Sequence, residues 1–349
     1  MTPFRRGGRW MLDSGIQETS GGTARYRLVA EERNLPVSTE ITGYAASTFV
    51  FLYEETGEPD YLEAAVRAAR FLCREAWNPG LRAMPFELAP GSPSYFFDCG
   101  IIVRGLLAVW RATRDQEPLD VAFACGRAMG RDFRTGGGIH PVISLPEKSP
   151  QPYEKRWSRE PGCFQLKSAL AWHDLAAITG DPQFAEWWQR ALEMAVANDP
   201  VFLPGSPERE RVMDRLHAYS YYLEAMLAAG RGGTLKAGIG RAAAYLREIA
   251  PDFARSDVYA QILRVRLMAD AGGQVPLDVA AAEEEATAIT GFQYSADDPR
   301  LDGGYCFGSK HGALLPYANP VSTGFCLQAR QWWLQYEAGT RGASLDRLI

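Results

Sequence analysis

Two kinds of apolar run alternate along the chain. Residues 41–56 are mostly small, apolar or aromatic, whereas 60–76 set Leu62, Ala65, Val66, Ala69 and Leu72 on one stripe and Glu63, Arg67, Arg70 and Arg74 off it. The first pattern suits a helix buried on most sides, the second a helix with a single buried face. From Cys99 to Trp110 only Arg104 is charged, and 119–132 returns to the one-sided pattern. The contrast recurs in 165–178 with 183–197, 214–229 with 235–249 and 257–271 with 277–290, and a last apolar run covers 320–337. Period-2 alternation is confined to short runs near 25–30 and 139–145, so few strands are expected.

A recurring turn separates the paired helices. Thr56-Gly57-Glu58-Pro59-Asp60-Tyr61, Thr113-Arg114-Asp115-Gln116-Glu117-Pro118-Leu119 and Thr179-Gly180-Asp181-Pro182-Gln183-Phe184 follow one another at spacings of 57 and 66 residues, about a helical hairpin plus a long loop. Proline after the turn has the φ of a helix start. Hairpins in series, with all-round apolar helices alternating with one-sided ones, require an inner and an outer helix ring. The expected fold is an all-α (α/α)6 toroid, a single domain over 1–349 in which residues 1–37 are a closing segment packed near the last inner helix. An open solenoid of hairpins is disfavoured by the irregular spacing and the long Gly/Pro/aromatic loops.

Composition adds exclusions. A net charge of −5 provides no basic footprint for nucleic acid. No 18-residue apolar span suggests a membrane crossing, and no apolar stretch behind Arg5-Arg6 reads as a signal peptide, so a cytoplasmic location is expected. The six cysteines form no CxxC pair and read as buried thiols. The Gly136–Gly138 run lacks the Lys and Ser/Thr of a phosphate loop.

The T-G-[DE]-P turns, together with Tyr95-Phe96-Phe97-Asp98-Cys99-Gly100, resemble the six-hairpin glycosidase-like superfamily, which includes unsaturated glucuronyl hydrolases, glucoamylases and N-acylglucosamine and cellobiose 2-epimerases. The resemblance implies a carbohydrate-active enzyme in which Asp98 looks like the acidic motif of the glucuronyl hydrolases. The epimerases' His two residues before a Glu is not reproduced, since His217 is followed by Glu at 224. Asp302-Gly303-Gly304-Tyr305-Cys306-Phe307-Gly308 also looks like the Gly-Gly-aromatic loop of the toroids that include terpene cyclases and lanthionine cyclases. No DxDD occurs, and Asp302, Cys306 and His311 lack that group's adjacent Cys-His, so no metal is expected.

In a ring of hairpins the cavity mouth is lined by the starts of the inner helices. Asp98, Glu40, His217 and Asp257 are the catalytic candidates there. Each has a plainer reading: Asp98 as an N-cap, Glu40 and Asp257 as acids favouring a helix dipole, and His217 as a hydrogen-bonded structural residue. Tyr44, Tyr95, Arg104, Trp157, Glu160, Lys167, Tyr221, Gln261, Tyr305, Lys310, His311 and Asn319 are the substrate-binding candidates, because aromatic faces stack on sugar rings and charged groups fix hydroxyls or a uronate. The expected reaction is cofactor-free glycoside hydrolysis of an oligosaccharide, one containing uronic acid included, by carboxylate general acid/base catalysis. A sugar epimerase or lyase using His or Tyr proton transfer, and a toroid that only binds glycan or peptide, are the alternatives. The expected partner is an oligosaccharide or small molecule, with a homodimer left open.

Overall fold

The computed structural model describes residues 1–136 and 138–349; Gly137, within the glycine run noted above, lies outside the described residues. The chain forms two compact units, one of residues 18–23 and 36–202, here the acid unit, the other of residues 1–17, 24–35 and 203–349, here the histidine unit.

The acid unit consists of three hairpins: α2 (Thr39–Thr56) with α3 (Pro59–Phe71), α4 (Phe96–Thr113) with α5 (Gln116–Asp132), and α6 (Leu166–Thr179) with α7 (Pro182–Phe202). The recurring turn has one geometry in all three. The Thr hydroxyl donates back to the carbonyl four residues earlier (Thr56 to Leu52, Thr113 to Val109, Thr179 to Leu175, 2.7–2.8 Å) and accepts from the amide two residues later. The residue between is left-handed: Gly57 at φ 70°, Gly180 at 69°, and Arg114 at 61°, where the glycine is missing. A left-handed non-glycine costs roughly 1–2 kcal/mol, so the Thr bridge holds that turn against a local penalty.

α2, α4 and α6 are buried nearly all round, as their sequences predict, and α3 and α5 along one face. α4 packs on both α2 and α6. A Cβ on Gly43 of α2 would come within 2.9 Å of the Ile102 backbone of α4, and Ser168 of α6 donates its hydroxyl to the Phe97 carbonyl at 2.7 Å. This close approach aligns the starts of the three helices.

The histidine unit holds α8 (Arg209–Ala229) with α9 (Gly232–Ile249), α10 (Ser256–Ala271) with α11 (Val279–Thr290), and α12 (Pro320–Glu337) with α1 (Pro3–Asp13). α1 was not predicted as a helix. Thr2 caps it, Pro3 begins it, and Gly7 lies so close to Leu327 that a Cβ would come within 2.6 Å of that side chain. Short antiparallel strands precede the buried helices: Phe253–Arg255 pairs with Gly308–Lys310 ahead of α10, and Tyr317–Ala318 with Arg27–Leu28 ahead of α12. In the acid unit Ser94–Tyr95 pairs with Val142–Ile143 ahead of α4.

Candidate active site

Glu40 and Asp98 sit in the first turns of α2 and α4, two helices in contact. Neither is a cap. Ser38 and Tyr95 occupy the cap positions and make no side-chain capping bond, and the Ser38 hydroxyl is buried without a partner. Asp98 is 6% exposed, and its Oδ2 has no hydrogen-bond partner. Burial, reinforced by the charge of Glu40, raises its carboxyl well above the usual carboxylate range. Burial likewise pushes Glu40 up to about 7, although its side-chain surface stays partly accessible. Two carboxyls that disfavour each other's charge in a desolvated site retain a proton at neutral pH.

The acid unit's substrate-binding candidates lie on α2, α4 and α6 or in the segments ahead of α4 and α6. Tyr44 is buried one turn along α2 from Glu40. Trp157 meets Phe97 and Phe164 edge-on, at centroid distances of 6.4 and 5.1 Å, and the Arg159 guanidinium lies 5.6 Å from the Tyr95 ring centroid. Glu160 closes the short turn at Trp157–Arg159, and Lys167 is fully buried in the first turn of α6. Arg104 lies two turns into α4 and is tied to Asp174 of α6 at 3.1 Å. Sequence reasoning missed Gln165, whose Nε2 is buried without a partner just before α6, beside Phe164. Asp174 was missed too; its pairing with Arg104 is non-local and leaves no sequence signal.

The histidine unit assembles a different set. His217 of α8 donates from Nδ1 to Gln261 Oε1 at 2.8 Å, with Asp257 Oδ2 at 3.5 Å. That tautomer leaves the lone pair on Nε2. Burial lowers the imidazole to about 4 against the opposing charge of Asp257, so it is neutral at pH 7. Burial would raise the Asp257 carboxyl, but above all the charge of Arg255 holds it below the usual range. Arg255 grips both Asp257 oxygens, at 3.0 and 2.7 Å, reaches Asp214 at 2.8 Å and stacks 4.4 Å from the Phe307 ring centroid. Arg255 was also missed, though its signal was present: a cation two residues before a helix-start acid.

Tyr221 contacts the His217 ring edge-on at 4.5 Å. Of the other candidates of this unit, Asn319 and Lys310 have side-chain partners. Tyr305 is buried and its amide donates to Thr323, Asn319 caps α12, Lys310 pairs with Glu210 at 2.7 Å, and His311 is at an exposed hairpin tip. Asp302 pairs with Arg6, and the Cys306 thiol donates to the Gly308 and Leu315 carbonyls. Among the described residues no group of three or more His, Cys, Asp and Glu is placed to hold a metal ion, and no helix is long and apolar enough to cross a membrane.

No family model matches the chain, and no curated protein does. Solved structures do. The chain is similar to cellobiose 2-epimerase from Spirochaeta thermophila at 15% identity and a TM-score of 0.70, with 95% of each chain covered. It is similar to cellobiose 2-epimerase from Bacillus thermoamylovorans at 12% identity and 0.69, covering 94% of this chain and 98% of that one. It is also similar to an α-1,6-mannanase from a Salegentibacter species at 12% identity and 0.60, covering 95% and 99%. The chain therefore shares the all-α (α/α)6 toroid fold of these structures, as its hairpin pattern predicts.

Proposed function

We propose that the chain is a carbohydrate-active enzyme and that Asp98 and Glu40 carry out general acid/base hydrolysis of a glycosidic bond. The observation that carries this reading is the Asp98 carboxyl: buried, with one oxygen unpartnered, and raised toward the protonated form beside a second acid. A structural acid in such a place would be paired. An unpaired one serves a group that arrives with the substrate. Support for the substrate class comes from structures that share the fold, among them a cellobiose 2-epimerase and an α-1,6-mannanase.

In this mechanism Asp98 delivers its proton to the glycosidic oxygen as the bond to the anomeric carbon breaks. Glu40, as the carboxylate, takes a proton from the attacking water, whose oxygen bonds to that carbon. Trp157 and Tyr95 are proposed to bear on the sugar faces, and Gln165 and Ser38 to meet its hydroxyls. The test is reducing-end release from a panel of oligosaccharides. Release that Asp98→Asn abolishes supports the reading; release undiminished in both Asp98→Asn and Glu40→Gln overturns it.

A second reading rests on His217. A neutral imidazole with its Nδ1 proton held by Gln261 can act as a base through Nε2, the chemistry of an epimerase that removes a proton next to a carbonyl. Incorporation of solvent deuterium without cleavage, lost in His217→Asn, would favour it over hydrolysis.

A further inference from the structure

Residues 75–92 of the acid unit fold over Leu145 and Pro146 to form a groove of about 480 Å³. The volume falls within the roughly 300–1,000 Å³ of small-molecule sites. The groove is built in advance. Asn78 and Ala83 exchange backbone bonds, Asn78 Oδ1 accepts from the Leu81 amide, and Ser92 Oγ accepts from the Glu87 amide. Pro79, Pro85 and Pro90 line it, further limiting its freedom. Half-buried Trp77 forms part of the wall, with Glu75, Glu87 and Asn78 as polar groups.

The groove joins both acid-bearing helices. Pro85, one of its lining residues, accepts at its carbonyl the hydroxyl of Thr39 at 2.7 Å, and Thr39 is the residue before Glu40. On the other side, the strand leading into α4 and Asp98 pairs with Val142–Ile143, two residues before Leu145. An indole wall beside carboxylates and an amide, on a rigid frame, matches a sugar residue, whose apolar ring face stacks on an aromatic while its hydroxyls donate to carboxylates.

We infer that this groove is a distal subsite that binds a further sugar residue of an oligosaccharide whose scissile bond lies at Glu40 and Asp98. The inference rests on the chain acting on oligosaccharides, and it names Trp77 and Glu87 as residues that set chain-length preference. The occupant is neutral or cationic, because Glu75 and Glu87 repel a uronate at this position.

Calorimetry on the Asp98→Asn protein, which binds without turning over, tests it with cello-oligosaccharides and α-1,6-manno-oligosaccharides of two to six residues. In at least one series affinity should rise with length, and Trp77→Ala should remove about tenfold of that gain, with Trp77→Phe restoring most of it. The Trp77 indole N–H resonance of the otherwise unaltered chain should shift with the longer sugars alone. Should Trp77→Ala not fold, Glu87→Ala reads the same loss. Affinity unchanged by both substitutions at every length, or no member of either series bound, overturns the subsite. Trp77-dependent binding with no reducing-end release by the unaltered chain would sink the hydrolytic reading and leave the subsite standing.

Discussion

Asp98 and Asp257 are the same residue in equivalent places, each buried in the first turn of a helix that a short strand leads into, and their electrostatics are opposite. The residue two positions earlier decides the difference. Arg255 stands before Asp257 and holds both its oxygens, so the acid is pulled below its ordinary range. Phe96 stands before Asp98 and offers nothing polar, so burial and Glu40 push that acid up. In the histidine unit both oxygens of Asp257 are held by Arg255; in the acid unit one oxygen of Asp98 has no partner. A helix-start carboxylate is thus not in itself a catalytic signal. What sets Asp98 apart is that burial and Glu40 raise it with no cation opposing them.

The largest expected effect is on turnover. Asp98→Asn should lower kcat on a cleavable oligosaccharide by about 10²–10⁴-fold, the usual share of a general acid. It should leave the thermal midpoint unchanged or higher, because the substitution breaks no hydrogen bond at Oδ2. A large loss of stability would instead make Asp98 structural.

Next comes the partner that Asp98 lacks. Arg255→Met strands Asp257 as an uncompensated buried charge and should destabilise the protein by about 3–5 kcal/mol in urea unfolding. A loss under about 1 kcal/mol would show that Arg255 is not what satisfies Asp257.

The pH dependence separates the two units. Glu40 is raised from 4.5 to about 7, so the folded state binds its proton more tightly; that contribution is fully present below 4.5 and lost as pH rises to about 7. His217 is lowered from 6.5 to about 4, so its contribution is present above 6.5 and lost as pH falls toward 4. Glu40→Gln should therefore make stability rise more steeply from pH 4.5 to 7, and His217→Asn should make it fall more steeply. Urea midpoints across that range check both signs. Because the mechanism uses Glu40 as the carboxylate, activity should rise as Glu40 loses its proton near 7 and decline only where Asp98 loses its own.

The smallest effect lies in the turns. Arg114→Gly should stabilise by about 1 kcal/mol by removing the left-handed penalty, and Gly57→Ala should cost a similar amount. Thermal midpoints of the two variants should move in opposite directions.

These turns and the helix pairs were legible because they depend on local rules. The Thr bridge, the left-handed residue and proline at the helix start all fall within six residues, and periodicity reports burial directly. α1 was hidden because two glycines lower its helix propensity, whereas Gly7 is required by Leu327, a contact made from the far end of the sequence. The site was partly legible: residues at helix starts could be named, but not their pairing. That Arg104 meets Asp174, that Lys310 meets Glu210, or that Gln261 holds His217 depends on which elements pack side by side. Gln165 and Ser38 carry no sequence signal, because only the fold reveals a buried polar atom without a partner.

Site-resolved carboxyl titration by NMR tests the central claim most directly, with Asp98 and Asp257 followed in one sample and assigned through their Asn variants. Asp257 should titrate below 3.8, while Asp98 should titrate well above that value and move when Glu40 is replaced by Gln. Asp98 titrating at or below 3.8, indifferent to Glu40, would contradict the proton-holding pair on which the proposed chemistry depends.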